Sequence, residues 1–415
     1  MFDTVILADD LSGAADCAVA CVQRGLATTV TLGEPSGVVQ ADVISIDADT
    51  RRLDPTSAAE RMRALTAAFA PRAETLLFKK IDSSLRGHLG PEVAAVLEAR
   101  RAGGARTVAV MAPALPASGR TVRSGSAYLN GTPLHETELW RNQKMAGEAY
   151  IPGMLQQAGL SSTRVDLALV RGTGLGQALR DAASRFDVLL CDSVTDEDLE
   201  LIAAAVQELP CDVVWVGSAG LARHLPYRSS AAGSETALPL SGTDKPLLFV
   251  VGSMCRTARK QVASLASSED IRTVTVAPEL LVHSRDSAQW REAVAELENA
   301  VRQGRDVVLT SAAAPVLRIA ERPQLSRALA AMTAGIRGEV GALVACGGET
   351  ARMVLDCWGV RGLRLLGELE RGVVVSKALS AEMDVTVVTK AGDFGAPETL
   401  ARCRQWLRAG TEIRS

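Results

Sequence analysis

Two stretches in the first half of the chain gather residue types that could do chemistry together. ADDLSGAAD (Ala8–Asp16) sets two adjacent carboxylates, Asp9 and Asp10, directly after an apolar run. A carboxylate in that place can take the proton of a hydroxyl as it attacks phosphorus, or hold the hydroxyl by a hydrogen bond. Asp–Asp by itself more often marks a solvated turn or a helix cap, and Ser12 fits best as a cap of the helix expected over Gly13–Gly25. KKIDSSLRGHLG (Lys79–Gly90) places Asp82, Ser83, Ser84 and Arg86 within one or two turns of loop. A guanidinium grips a carboxylate in bidentate fashion while Asp and Ser hold hydroxyls, so this set suits a small polyhydroxy acid. Arg51, in DADTRR (Asp47–Arg52), is a second candidate for the same anion, with a surface salt bridge as the equal alternative. Of Lys79 and Lys80, one is expected to reach solvent.

The second half offers glycine turns instead. ALVACGGETARMVLDCWGV (Ala342–Val360) reads as strand, Gly–Gly turn and amphipathic helix. Gly347 and Gly348 allow a close backbone approach, and the N–H groups opening the helix face an anion. VVGSMCRTARKQV (Val250–Val262), with Ser253 at the turn, and TKAGDFGAPETL (Thr389–Leu400), with Gly392 and Gly395, repeat the arrangement. One such turn is more often plain strand-to-helix packing; three in one domain make a nucleotide pocket plausible, but these residues alone do not choose ATP over another anionic ligand.

These residues need a frame that presents them on one edge. Short apolar runs alternate with longer amphipathic stretches, the pattern of an α/β fold with mainly parallel sheets. Strands are expected at Thr4–Ala8, Val43–Ile46, Thr75–Phe78, Thr107–Ala112, Val188–Cys191 and Val213–Val216. Helices are expected at Thr56–Phe69 and Asp196–Leu209, the latter capped by Thr195. Residues 227–245 (YRSSAAGSETALPLSGTDK) lack periodicity and read as a linker. After it, strands are expected near Leu247–Val251, Thr273–Val276, Asp306–Leu309, Ala342–Ala345 and Val385–Val388. The expected architecture is therefore two α/β domains, 1–226 and 246–415, each a mainly parallel sheet flanked by helices, with the active site in the interdomain cleft. Ligands bind such sheets outside the carboxyl ends of the strands, which is where the polar clusters fall.

Composition narrows the partners. With 45 Lys+Arg against 48 Asp+Glu, the net charge of −3 gives no reason to propose a nucleic acid or a membrane surface. The N-terminus does not read as a signal peptide, and the eight cysteines form no CxxC pair, so a cytoplasmic protein is expected. Cys17 and Cys21 should share one buried helix face. No Gly–Lys dipeptide occurs, which removes a Walker A loop. GTGLGQ (Gly172–Gln177) lacks the last glycine of a dinucleotide fingerprint, and His88, His135, His224 and His283 lie too far apart for metal-ligand spacing. A homodimer is expected only because soluble enzymes often form one.

Six segments, in order along nearly the whole chain, make the sequence similar to the four-carbon acid sugar kinase family. They are ILADDLSGAAD, KKIDSSLRGHLGPEV, APALPASGRTVRSGSAYLNGTPLHETE, CDSVTDEDL, CGGETARMVLDCWGVRGLRL and TKAGDFGAPETL. The resemblance implies an ATP-dependent kinase, using Mg²⁺, that phosphorylates a hydroxyl of a small-molecule acid sugar such as threonate, erythronate or a 3-oxo-tetronate. It implies an N-terminal acid-sugar site of Asp10, Arg51, Lys80, Asp82, Ser83, Ser84, Leu85 and Arg86, with Asp10 orienting or deprotonating the terminal hydroxyl. It implies a C-terminal ATP site of Ser253, Gly347, Gly348, Glu349, Thr350, Gly392 and Gly395. Glu349 is either a metal-shell residue or a first-turn acid of its helix. The chain departs from the family after Gly252–Ser253, where Met254–Cys255–Arg256–Thr257 replaces a Ser-Pro-like turn. A nonenzymatic sugar-acid sensor, a kinase of another polyhydroxy acid and an oxidoreductase are the competing readings.

Overall fold

The computed structural model describes residues 2–35, 39–143, 145, 147–228, 240–253, 255–268, 270–284, 287–312 and 322–410. Residues 229–239 of the expected linker lie outside the described residues. The chain divides into two compact units, one of Met1–Cys21 with Gln40–Ala231, the other of Val22–Val39 with Ala232–Ser415.

In chain order the strands up to residue 217 are β1 (Thr4–Ala8), β2 (Thr28–Leu32), β3 (Val43–Asp47), β4 (Leu76–Lys80), β5 (Thr107–Ala112), β6 (Arg120–Arg123), β7 (Ser126–Leu129), β8 (Thr132–Pro133), β9 (Ser162–Val165), β10 (Val188–Cys191) and β11 (Asp212–Gly217). The N-terminal unit is built on a parallel sheet of order β3-β1-β4-β11-β5-β10-β9. β1 and β5 are buried along their whole length, so they read as nearly unbroken apolar runs. β1 pairs with β3 on one side and β4 on the other, in a register that sets Ala8 opposite both Asp47 and Lys80. The loops 9–10, 48–52 and 81–86 therefore leave one edge side by side. Three expected strands, at β1, β5 and β10, keep their bounds, and the other three shift by one or two residues. The helix Asp196–Val206 carries the expected Thr195 cap, in a reciprocal capping box with Asp198.

β6, β7 and β8 form a small antiparallel sheet that the periodicity did not predict. Its two turns, Ser124–Gly125 and Asn130–Gly131, hold positive φ at both residues. That is the conformation a two-residue hairpin turn with right-handed strand twist requires.

In the C-terminal unit β2 is joined by β12 (Leu247–Val251), β13 (Ile271–Val276), β14 (Asp306–Ser311), β15 (Ala342–Cys346), β16 (Gly362–Glu370), β17 (Val373–Ala378) and β18 (Thr386–Lys390). The order is β13-β14-β12-β15-β18-β17-β16-β2, parallel as far as β18 and antiparallel beyond it. The chain leaves β12 toward β13 and leaves β15 toward the opposite side, so a switch point opens between the carboxyl ends of β12 and β15. Phe249, Val344, Val388 and Cys403 belong to the core beneath it, closed by the helix Thr399–Ala409.

Candidate active site

In the N-terminal unit the three loops at the β3-β1-β4 edge interlock through charge. Arg51 donates from Nε to Asp9 Oδ2 at 2.7 Å and from Nη1 to Asp10 Oδ2 at 2.8 Å. Its Nη2 is buried without a hydrogen-bond partner, 3.9 Å from Asp82 Oδ1. Arg86 holds Asp82 as a fork, with Nε 2.6 Å from Oδ2 and Nη2 2.8 Å from Oδ1. The Arg86 side chain is one-third exposed, and its Nη1 meets no partner among the described residues. Oδ1 of Asp9 is likewise buried and unpaired. The Asp82–Leu85 turn closes with Leu85 at φ 59°, its side chain buried. Such a conformation costs a non-glycine residue of order 1 kcal/mol and persists only where its surroundings fix it.

Two expectations need correcting here. Ser12 does not cap the first helix, Leu11–Val22; Asp10 does, accepting the Gly13 amide on Oδ1 at 3.0 Å, while the Ser12 hydroxyl is buried without a partner. Neither Lys79 nor Lys80 reaches solvent. Neighbouring side chains on a strand point to opposite faces. Lys79 thus meets Glu92 of the helix Leu89–Arg101 at 2.7 Å and donates to the Lys80 carbonyl at 2.7 Å, while Lys80 turns to the carboxylates. Lys80 lies over the start of the first helix, where a Cβ on Gly13 would stand 2.6 Å from Nζ.

In the C-terminal unit the strand ends pack on one another through missing side chains. A Cβ on Gly392 would lie 2.1 Å from Ser253 Oγ, and one on Gly252 would lie 2.2 Å from Thr350 Oγ1. Gly347 has φ 104° and starts the helix Gly348–Cys357, whose first turn holds Glu349 and Thr350. Its amide donates to the Lys390 carbonyl at 2.8 Å, joining the β15 and β18 turns. Ser253, Gly347, Gly348, Glu349, Thr350 and Gly392 are thus brought to one edge. Gly395, at φ 86°, packs instead on Thr399. Cys255, in the stretch where the sequence departs from the family pattern, caps the helix Arg256–Ala266 through sulfur and sits 3.0 Å from the Gly392 carbonyl.

Residues 4–225 match the family described as Sugar-binding N-terminal domain, and residues 248–400 match Nucleotide-binding C-terminal domain. A D-threonate kinase of Cupriavidus necator is 36% identical over 95% of this chain and 96% of its own length. The chain belongs to the four-carbon acid sugar kinase family. A D-erythronate kinase of Heliobacterium modesticaldum is 27% identical over 98% of this chain and 97% of that protein. A crystal structure from Salmonella typhimurium LT2, 24% identical, superposes with a TM-score of 0.74 over 99% of this chain and 100% of that one, which shows the shared fold.

Membership makes this acid sugar kinase a phosphotransferase and sets aside the sensor and oxidoreductase readings. Its N-terminal site holds two buried acids, Asp9 and Asp82, below their ordinary values by placing cations among them. Burial would raise the Asp9 carboxyl, but Arg51, Lys80 and Lys79 outweigh burial and hold it below its ordinary value. Burial opposes ionisation of Asp82 too, yet Arg86, Arg51 and Lys80 hold it well below. Burial would lower the Lys80 ammonium, but Asp9, Asp10 and Asp82 outweigh burial and hold it above its ordinary value. Fixed ionised groups with spare acceptors and donors can hold hydroxyls and a carboxylate without reorganising. Arg120, on β6, was not among the expected site residues, yet it is buried and donates from Nε to Ser84 Oγ at 3.1 Å. The Gly–Arg pair ending the loop after β5 was the available signal. Among the described residues no helix is long and apolar enough to cross a membrane.

Proposed function

We propose that this kinase transfers the terminal phosphoryl group of ATP to the 4-hydroxyl of a four-carbon acid sugar, with D-threonate as the preferred acceptor. The observation that carries the reading is the pair of buried, unsatisfied atoms, Arg51 Nη2 and Asp9 Oδ1, set among charged groups at one strand edge. A donor and an acceptor left unpaired in such a place are costly unless a ligand meets them. A polyhydroxy acid offers both kinds of partner. The relative named D-threonate kinase supports the choice of acceptor.

In this mechanism the substrate carboxylate takes the open side of Arg86 and the spare donor of Arg51. Asp9, Ser83 and Ser84 hold the hydroxyls nearer the carboxylate, with Ser84 positioned by Arg120. Asp10 has one oxygen on the Gly13 amide and the other on Arg51, so it serves to orient the 4-hydroxyl and receive its proton as the oxygen bonds to phosphorus. The bond from that phosphorus to the bridging oxygen breaks, and ADP leaves. The helix start at Gly347–Thr350 and the Gly392 turn, where no side chain intervenes, fit a phosphate chain. Mg²⁺ bound with the nucleotide would neutralise phosphate charge, with Glu349 as the acid in the first helical turn at that site. Transfer requires the phosphate donor and the acceptor hydroxyl to meet with water excluded. All eight cysteines are free, which supports a reducing, cytoplasmic setting.

The test is ADP release, coupled to a reporter, from purified protein offered D-threonate, D-erythronate and 3-oxo-tetronates with ATP and Mg²⁺. D-Threonate should give the highest kcat/KM. Folded protein inactive on the whole panel would contradict the reading.

A further inference from the structure

Lys390 ends β18, and its side chain is 1% exposed. Its Nζ donates to the Ala391 carbonyl at 2.8 Å and lies 3.5 Å from Cys346 Sγ. No carboxylate among the described residues forms an ion pair with it. Lys79 is equally buried but has Glu92 at 2.7 Å, and Lys80 faces three aspartates. An ammonium taken out of water is expensive unless an anion and hydrogen bonds meet it, and a bound anion supplies both. The position says which ligand. Cys346 and Lys390 are register partners at the ends of β15 and β18, and the Lys390 carbonyl accepts the Gly347 amide. The ammonium therefore sits under the junction of the two glycine turns, where backbone N–H groups offer only partial charge. Arg259, beside Ser253 on the neighbouring cavity, is exposed, so water already solvates it.

We propose that Lys390 is the cation that neutralises the phosphate chain of the bound nucleotide, a role that rests on the nucleotide reading of this unit. It replaces the lysine of a Walker A loop, which the sequence lacks, with one supplied from a strand end. On binding, Nζ exchanges the Ala391 carbonyl for a phosphate oxygen.

The experiment compares wild type, Lys390→Met and Lys390→Arg, as full chains, by calorimetric titration with ATP, ADP and AMP in Mg²⁺, with thermal melts alongside. Losing one charge-assisted contact should weaken ATP binding by about 30-fold and AMP binding by no more than about 3-fold in the Met variant, with partial recovery in the Arg variant. A cooperative melt at or above the wild-type midpoint should accompany that loss, because an uncompensated charge has been removed. Equal losses for all three nucleotides, or an ATP affinity within about 3-fold of wild type, would overturn the proposal. Should Met not be tolerated, Lys390→Gln, which keeps a donor for Ala391, is judged by the same ATP-to-AMP contrast. Wild-type protein that binds none of the three nucleotides would sink the nucleotide reading itself, a separate outcome.

Discussion

At the strand ends of the N-terminal unit stand three carboxylates, Asp9, Asp10 and Asp82, laced to Arg51, Lys80 and Arg86. At the matching edge of the C-terminal unit stand Gly252, Gly347 and Gly392, packed on the side chains of Ser253 and Thr350, with Lys390 buried beneath. On the function proposed above, one edge meets its ligand with side chains and the other chiefly with backbone. The difference suits the two ligands proposed. A small sugar acid has few atoms, so each hydroxyl and the carboxylate must meet a fixed side chain. A phosphate chain is large and uniform, and a backbone that can approach it offers repeated N–H donors. Removing a side chain should therefore damage the first site most, and adding one should damage the second.

Arg51→Ala breaks the comparison most severely. It leaves Asp9 buried without its closest cation and frees Asp10 and Asp82 to repel each other. kcat/KM for the acid should fall by at least about 10³-fold, with a stability loss of about 3–5 kcal/mol in urea unfolding. Gly392→Ala comes next. The new methyl collides with Ser253, so the nucleotide KM should rise by about 10- to 100-fold while the acid KM stays within about 2-fold.

Glu92→Gln sharpens the contrast within the N-terminal unit. It leaves Lys79 charged and unpaired behind the sheet, which should cost about 3 kcal/mol of stability. The acid kcat/KM should drop by only about 10-fold, since Lys79 acts through the Lys80 carbonyl rather than on substrate. Replacing both partners by apolar residues should recover most of the stability.

The smallest effect is in pH. Asp9 and Asp82 have folded values below their ordinary 3.8, so the unfolded chain binds protons first as pH falls. Their contribution is complete above the unfolded value and is lost as pH drops through it toward the folded values. Acid unfolding monitored in wild type should steepen below about pH 4, and Arg51→Ala should flatten that limb.

The parallel strands were legible because burial on both faces leaves an apolar run with polar residues waiting at its end. Asp9–Asp10, Arg51 and the Asp82–Arg86 loop could be picked out for that reason, and β1–β3 and β1–β4 pairing puts them together. Other features left weaker traces. β9 is a short edge strand with one buried residue, so no apolar run marks it. β16 has register shifts at Leu365/Gly367 and Glu368/Glu370, which spoil the alternation a strand would show. β2 pairs with β16 across more than 300 residues of sequence, and nothing local says that it belongs with the later half. The lysine pair misled because long cationic side chains usually find water. Here the acid that keeps Lys79 inside lies on the next helix, at Glu92, a pairing visible only once the helix is packed. Ser12 lost the cap to Asp10 because the helix begins two residues earlier than its glycine suggests.

The central claim is that the acid and the nucleotide are held by separate residue sets, one per unit. Titrating Arg86→Ala with D-threonate and, separately, with ATP·Mg²⁺ tests it most directly. The account predicts that D-threonate binding weakens by about 30-fold or more while ATP binding stays within about 2-fold of wild type. Comparable losses for both ligands, or an undiminished affinity for the acid, would contradict it.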